Sequence, residues 1–463
     1  MDARTLVLLQ APIGRTILRL ALPNVIVMVV QASVGLIETY FVGKLGTNAL
    51  AGMALVFPIL MLIQMVSAGA MGGGILSAIA RALGSNRSDD AGVLAWHAVA
   101  IAVAAGLATT IAALMGGPWL YALMGGRDAS LAAATTYSGI IFAGAIPLWL
   151  FNSLAAVIRG TGNMVVPATV TALGAVVLIP LSPVLIFGLG PVPQLGIAGG
   201  AIAVVLYYVI GSAVFAWFIW SGRGVLRPPW RMPKLQWAPT REILRIGAVS
   251  SLVSVTTNVS IATATGLVGA HGAAAAAGYG TGARLEYLLV PLVFGLGAPL
   301  AAMVGTSVGA GERARALRVA WTGAAIAGAL TEIIGVAAAL YPRAWLSLFG
   351  DDPAMIAIGS DYLRIVGPFY GFFGVGLSLY FASQGAGRLG WPLIAATLRV
   401  VIAAAGGFLA LMLFGITGVF WALAVALAAF GIIVAAAIAG GAWFPQSMIP
   451  KSGSRFSEKI MLK

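Results

Sequence analysis

The chain runs to 463 residues, of which 60% are hydrophobic and only 8% charged, with 61 glycines, 22 prolines and no cysteine; its mean hydropathy is +1.02. A soluble globular domain carries about 25% charged residues, so most of this surface must face lipid, and without cysteine both disulfides and thiolate metal sites are excluded. The net charge of +13 would suit nucleic acid in a polar chain; in one this apolar it reads as cytoplasmic loops obeying the positive-inside rule. The apolar runs are long enough for the roughly 20 residues of a helical span, so the fold class is an all-α polytopic membrane protein. Abundant glycine and alanine fit helices packed closely in lipid.

The opening stretch, MDARTLVLLQAPIGRTILRLALP, is amphipathic and lacks a small-residue cleavage site, so it reads as a cytoplasmic lead-in helix and not a cleaved signal peptide. Twelve spans are expected, at roughly 18–42, 51–80, 92–116, 132–158, 164–189, 196–220, 242–269, 275–305, 315–340, 356–383, 390–413 and 417–443. Glycine-rich turns separate them, among them Gly84-Ser85-Asn86-Arg87, Gly160-Thr161-Gly162-Asn163 and Gly309-Ala310-Gly311-Glu312. The longest polar break, SGRGVLRPPWRMPKLQWAPT, falls mid-chain. It divides an N-lobe of six helices (1–220) from a C-lobe of six (241–445), with a cytoplasmic linker at 221–240 and a cytoplasmic tail at 446–463.

Placing both termini in the cytoplasm puts twenty lysines and arginines in inner segments and only Lys44, Arg127 and Arg343 in outer loops; Arg284, Arg364 and Arg399, inside spans, complete the 26. That asymmetry sets the topology. The halves also repeat. Residues 17–52 align without a gap on 243–278 with twelve of 36 positions identical, including Ile-Leu-Arg at 17–19 and 243–245, and Gly46 with Gly272. One residue shorter, the register pairs Gly84 with Gly309, Trp96 with Trp321, and Gly160-Thr-Gly162 with Gly385-Ala-Gly387. Six spans per half is an even number, so the halves run parallel about an axis along the membrane normal, as in one kind of transporter repeat.

Of thirteen acids, only Glu38, Glu286 and Glu332 fall well inside expected spans. An ionised carboxylate at the bilayer centre costs roughly 2.5 to 3.5 kcal/mol even on forgiving scales. Glu38, in ASVGLIETYFVGKLG, must therefore be kept neutral or matched by a cation, which is how a transporter binds and releases H⁺ or Na⁺. Glu286, in GARLEYLLVP, reads either as a second coupling acid or as half of a buried ion pair with Arg284 or another partner. Glu332 reads as a structural hydrogen bond to a neighbouring helix.

Several ordered motifs resemble the multidrug and toxic compound extrusion (MATE) family. They are Ala21-Leu22-Pro23, the acidic block Leu36-Ile37-Glu38-Thr39, Val42-Gly43-Lys44-Leu45-Gly46, Ala80-Arg81-Ala82-Leu83-Gly84, Arg159-Gly160-Thr161-Gly162-Asn163, and Arg284-Leu285-Glu286 with Pro291. The resemblance spans nearly the whole chain and is closer to the DinF-like branch, with its acid in the first helix. It implies a cation-coupled exporter of two six-helix lobes around a central cleft. The sequence also departs from the family, which commonly has aspartate where Glu38 stands. In the fifth span, Leu178-Ile179-Pro180-Leu181-Ser182-Pro183 lacks the Asn and Asp of many bacterial members, and no acid occurs from 250 to 269 or from 365 to 383.

The implied function is an inner-membrane antiporter that exports amphiphilic, cationic or zwitterionic small molecules against an H⁺ or Na⁺ gradient. It is not an enzyme, and it uses no cofactor beyond the coupling ion. Glu38 and Glu286 are the coupling candidates, and Pro23 is a candidate bend in the first helix. Gln31, Tyr40, Gln64, Met65, Asn152, Ser182, Asn258 and Tyr287 are candidates for lining the cavity. The seventh span carries a strip of hydroxyls from Ser250 to Thr265 that suits either water or close-packed neighbours. His97 and His271 lack ligand-spaced partners, so no metal is expected, and Gly278-Tyr-Gly280-Thr-Gly282 follows no strand, which rejects a nucleotide site. The implied partners are a small organic substrate and the bilayer, with no nucleic acid, and the chain is read as a monomer. The alternatives are a flippase for lipid-linked saccharides, which needs a strongly cationic cavity, and a non-transporting scaffold.

Overall fold

A computed structural model of the chain describes residues 1–188, 190 and 192–444, except for the side chains of Ala32, Leu36, Tyr287 and Leu288; the expected tail at 446–463 lies outside the described residues. Among those residues every regular element is a helix. The lead-in helix α1 (Ala3–Gln10) starts on an Asp2 cap, whose carboxylate accepts from the Arg4 amide at 3.0 Å. Its last carbonyls are held from far along the chain. The Arg315 guanidinium donates to Leu8 O at 2.8 and 3.1 Å and to Ala11 O at 2.8 Å, setting a cation at the negative end of a helix.

Ten described helices are long and apolar enough to span a bilayer, and one bent pair makes an eleventh. The last continuous stretch is broken at Gly415 (φ 67°, ψ −155°), which divides it into two and brings the spans to twelve. The first is α2 (Ile13–Gly43). The second joins α3 (Thr47–Gln64) to α4 (Gly72–Gly84) through a π-helical segment, Met65–Met71. The third is α5 (Ser88–Leu123). The fourth, expected as one helix, is α6 (Asp128–Ala143) and α7 (Ala145–Gly160), set at 50° to each other. Gly144 sits at that break, and Pro147 has no N–H to donate to the Ala143 carbonyl. Then come α8 (Val165–Phe187) and α9 (Ile197–Trp220).

The second half opens with α10 (Trp237–Gly269), which begins inside the expected linker. Pro239 lies in its first turn, where a missing N–H costs nothing. After α11 (Ala273–Gly309), α12 (Arg313–Leu340) and the short α13 (Pro342–Leu346), the tenth span runs through α14 (Pro353–Val366) and α15 (Tyr370–Ala386), joined by one 3₁₀ turn, Gly367–Phe369, that holds Pro368. The eleventh and twelfth are α16 (Gly390–Val401) and α17 (Gly407–Ala439), the latter containing the break at Gly415. The rejected nucleotide motif serves packing. A Cβ at Gly278 would stand 2.6 Å from Met355 O, and one at Gly282 2.6 Å from the Tyr362 ring, so these glycines let α11 lie against α14.

The internal repeat is visible in the backbone itself. Positive φ recurs at equivalent turns: Gly46 (111°) and Gly272 (106°), Gly162 (80°) and Gly387 (71°), and Asn86 (58°) and Gly311 (77°). Only glycine, or a small polar residue such as asparagine, adopts this region without strain. Two hydrophobic cores accompany the repeat. One is built from Val42 to Leu226 with Ile243, Ala301 and Ala302; the other runs from Ile246 to Trp443 and takes in Leu8, Ile17 and Ala21 from the chain's start.

At one end of the bundle the halves close on each other through glycine. A Cβ on Gly84 of α4 would collide with the Thr306 carbonyl of α11, and one on Gly309 of α11 would collide with the Arg81 carbonyl of α4. The contact is reciprocal because Gly84 and Gly309 are equivalent in the repeat. Arg81 reinforces it, donating to Gly385 O at 2.8 Å and pairing with Glu242 at 2.6 Å. The turns at Gly46 and Gly272 are not packed in this way; a Cβ there would meet nothing within 4 Å. Replacing Gly84 by leucine should push α4 off α11. A cysteine at Ser307, buried in the wild type and unique in this cysteine-free chain, should then react with a thiol reagent at least about tenfold faster. Equal labelling rates with and without Gly84→Leu would refute the seal.

Candidate functional site

Glu38 lies in the last two turns of α2, with 8% of its surface exposed. Tyr137 of α6 donates its hydroxyl to Glu38 Oε1 at 3.1 Å. Two glycines bring the neighbouring helices this close. Gly52 of α3 has no room for a Cβ against Ala133 of α6 (2.6 Å), and Gly200 lets α9 pass with its would-be Cβ 3.4 Å from Glu38 Oε1. Among the described residues no basic side chain pairs with Glu38. It is a buried acid with one neutral partner.

Glu38 lines a cavity of about 650 Å³. Its walls come mostly from helices of the first half, and α11 and α15 close it through Phe294, Ala298, Ala301, Phe381 and Gln384. The lining is apolar and soft, with Met28, Met53, Met61 and Met65 among Phe57, Tyr137, Tyr207 and Tyr208. Thioether and aromatic surfaces of this kind adapt to flat organic molecules of differing shape. Polar groups interrupt it at few points: Asn24, Gln31, Glu38, Thr39, Gln64, Arg159, Thr171 and Gln384. Its apolar parts and its lone acid belong to one surface.

A hydrogen-bonded relay stiffens one wall. Asn152 Nδ2 donates to Gln64 Oε1 and Ser67 Oγ, each at 2.8 Å, and Gln64 Nε2 donates to the Tyr208 hydroxyl. Gln384 ties the cavity across the halves, where its Nε2 donates to Gly69 O at 3.3 Å, and it is held within the second half by donating to Ser250 Oγ at 2.9 Å. The carbonyl of Gly69 lies in the π-helical segment, and Gly73 beyond it leaves space for the Gln384 amide. That segment thus brings the first half's backbone up to α15.

Of the residues singled out from sequence, Gln31, Gln64 and Met65 line the cavity and Asn152 stands one hydrogen bond behind it. Asn258 donates to its own helix at Ser254 O (2.9 Å) and reaches Met65 Sδ at 3.8 Å. Ser182 is buried with no partner for its hydroxyl, and Tyr40 is exposed beneath the Lys44 ammonium (4.7 Å). Neither Asn258, Ser182 nor Tyr40 is among the lining residues. The side chain of Tyr287 lies outside the described residues. Pro23 sits inside the continuous α2 and leaves the Arg19 carbonyl unbonded, while the adjacent Asn24 donates to Gly295 O of α11 at 3.2 Å.

Glu286 pairs with Arg399 of α16 at 3.2 Å and not with Arg284, whose guanidinium lies over the Phe349 ring. It does not line the cavity. Arg399 also faces the Phe373 and Phe430 rings at 5.4 and 5.8 Å. Glu332 accepts from the Gly371 amide at 2.7 Å, satisfying the start of α15 after the break at Pro368. The hydroxyl strip of the seventh span folds back on its own helix: Ser251, Ser254, Thr256, Thr257, Ser260, Thr263 and Thr265 each donate to a carbonyl three or four residues earlier. Such bonds satisfy hydroxyls without water.

Sequence reasoning overlooked Tyr137, Tyr207, Tyr208, Arg159 and Gln384. Arg159 is one of the twenty basic residues assigned to the inner segments. The repeat held the clue, because Arg159 and Gln384 each precede the paired Gly-x-Gly at 160–162 and 385–387, and both face the cavity. No group of three metal-ligating side chains occurs among the described residues.

Twelve spans in two related halves around an inner cavity define a multi-pass membrane transporter. The MatE family model matches residues 23–184 and 250–409, covering both halves. The chain belongs to the MATE family. It is 28% identical over 372 residues to the FAD transporter of Shewanella oneidensis, spanning 80% of this chain and 81% of that protein. It is 25% identical to the "Probable multidrug resistance protein NorM" of Thermotoga maritima, with 82% of each covered. Its fold matches a crystal structure of a MATE transporter in the bent conformation at a TM-score of 0.86 (23% identity, 94% of this chain and 96% of that one). It matches the outward-facing conformation of a multidrug resistance MATE transporter at 0.84 (22% identity, 95% and 99%).

The Glu286–Arg399 pair supports a direct test. Glu286→Gln would strand a guanidinium that is only 8% exposed, at a cost of about 3 kcal/mol, seen as a lower melting temperature in detergent. Adding Arg399→Met should restore most of the loss. A double variant no more stable than Glu286→Gln alone would show that the two side chains are not energetically coupled.

Proposed function

We propose that the protein is a cation-coupled antiporter of a bacterial inner membrane, exporting amphiphilic organic molecules, cationic or zwitterionic, by alternating access. Both termini are cytoplasmic, and residues 1–220 and 241–445 are the lobes that move. On that topology the glycine seal of α4 and α11 is the cytoplasmic gate, and the cavity communicates with the outside. The observation that carries the reading is Glu38, a buried acid without a cationic partner on the wall of an otherwise apolar cavity.

With Glu38 ionised, the outward-open state holds a charge that only a cation can neutralise. Uptake of H⁺ or Na⁺ removes a penalty of roughly 3 kcal/mol. Swinging two states from 1:99 to 99:1 needs about 5.5 kcal/mol of bias. Neutralisation therefore covers about half, and the remainder comes from substrate that binds the two states unequally; the two ligands need not touch. Glu286, held by Arg399, is assigned to the scaffold, which leaves Glu38 as the coupling residue.

The relatives support export of organic cargo, since one is named for FAD transport, one for multidrug resistance and one for multidrug export. A flippase for lipid-linked saccharides would hold a pyrophosphate with several cations, whereas this cavity carries one arginine, Arg159.

The test is efflux of a fluorescent organic cation and of a zwitterion from proteoliposomes, driven by ΔpH alone and then by a Na⁺ gradient alone. Wild type should respond to one of the two. Glu38→Gln, equally inserted, should lose at least about tenfold of the gradient-driven rate. Undiminished gradient-driven efflux by Glu38→Gln would sink the assignment.

A further inference from the structure

Among the described residues, four arginines sit inside helices and away from bulk solvent, and three are fully engaged. Arg81 holds Gly385 O and Glu242, Arg315 holds Leu8 O and Ala11 O, and Arg399 holds Glu286 between two aromatic rings. Arg159 is the exception. It lines the cavity from the last turn of α7, its Nε is buried without a partner, and among the described residues its guanidinium makes no hydrogen bond or ion pair. A guanidinium carries five N–H donors in a planar fork, and buried donors are nearly always used. Glu38, the cavity's only carboxylate, is not within pairing distance. Thr171 and the Tyr207 ring line the same cavity.

We infer that Arg159 is an anion-docking subsite, and that the transported molecule is an aromatic amphiphile bearing a phosphate or carboxylate group. The planar fork fits either oxyanion in a two-point contact, while the tyrosine, phenylalanine and methionine walls take the ring. This deepens the export reading above and rests on it for the word transported. It narrows that reading to molecules with a fixed negative group, zwitterions included. A cationic substrate without an anion would leave the Arg159 donors unused.

Binding to purified protein in detergent, with no gradient, tests the subsite independently of coupling. The probes are flavin mononucleotide and riboflavin, which share a fluorescent ring and differ by one phosphate, with lysophosphatidate as a lipid phosphate. Wild type should bind flavin mononucleotide at least about tenfold tighter than riboflavin, a difference of about 1.4 kcal/mol. Arg159→Gln should abolish that preference and leave riboflavin binding unchanged, and Arg159→Lys, with the charge but not the fork, should retain part of it. The proposal is overturned if wild type binds both flavins equally or binds neither, or if Arg159→Gln weakens both alike. Lysophosphatidate outcompeting flavin mononucleotide would overturn the aromatic assignment in favour of a lipid headgroup. If Arg159→Gln does not fold, the wild-type ratio and Arg159→Lys still decide.

Discussion

A hydrocarbon solvent offers no partner to a charged side chain, so one inside the bundle must find its partner in the protein or face a cavity. That constraint sorts the charges of this chain into two groups. Arg81, Arg315, Glu332 and the Glu286–Arg399 pair are matched to carbonyls, amides or each other, and each joins one helix to another. Glu38 and Arg159 are not matched by opposite charge, and both lie on the same cavity. Matched charges hold the helices in place. Unmatched ones remain available to ions and cargo, which is why the proposed coupling and docking roles fall on these two side chains.

The seal between the halves follows from the repeat. Equivalent glycines on equivalent helices meet the opposite helix's backbone, so Gly84 against Thr306 and Gly309 against Arg81 are one contact made twice. Helices in lipid associate through close packing, with little hydrophobic drive. A seal of backbone on backbone is therefore strong only when the fit is close, and a small rotation of one half releases much of it at once. A single ion pair at its edge, Arg81 with a largely exposed Glu242 (56%), adds little holding force. Such an interface suits a protein that must open and close.

Much of this was legible in the sequence. Composition and run length gave twelve spans, and the aligned glycines gave two related halves, because both signals repeat over hundreds of residues. Glu38 was legible as a lone acid in an apolar run. The partners were not. Glu286 was as compatible with Arg284, two residues away, as with Arg399, more than a hundred residues on, and only packing chose between them. The hydroxyl strip of α10 suited water and close packing alike, because back-bonding to a helix's own carbonyls leaves no mark in sequence. Arg159 counts among the inner-segment cations because it ends a span, and in this protein that end turns toward the cavity. The π-helical segment and the 50° break before α7 were also hidden, as both depend on how glycines meet neighbouring helices.

The seal is symmetric, and the cavity is not. The seal draws equally on α4 and α11, while the cavity wall, its acid and its arginine come almost wholly from the first half, with the second half supplying a lid of Phe294, Phe381 and Gln384. By the repeat offset, Ala264 stands where a second Glu38 would be, and it is buried in the second half's core. Duplicating the acid would add another desolvation penalty without adding a gate. On the proposed mechanism, one lobe binds and discharges while the other presses against it. One link between them is Gln384 donating to Gly69 O, a contact made beside the cavity that any movement of α15 away from the first half must break. On the proposed mechanism, cargo lodged beneath that lid and a neutralised Glu38 would act on the same contact, and this is how two ligands that never touch can bias one motion.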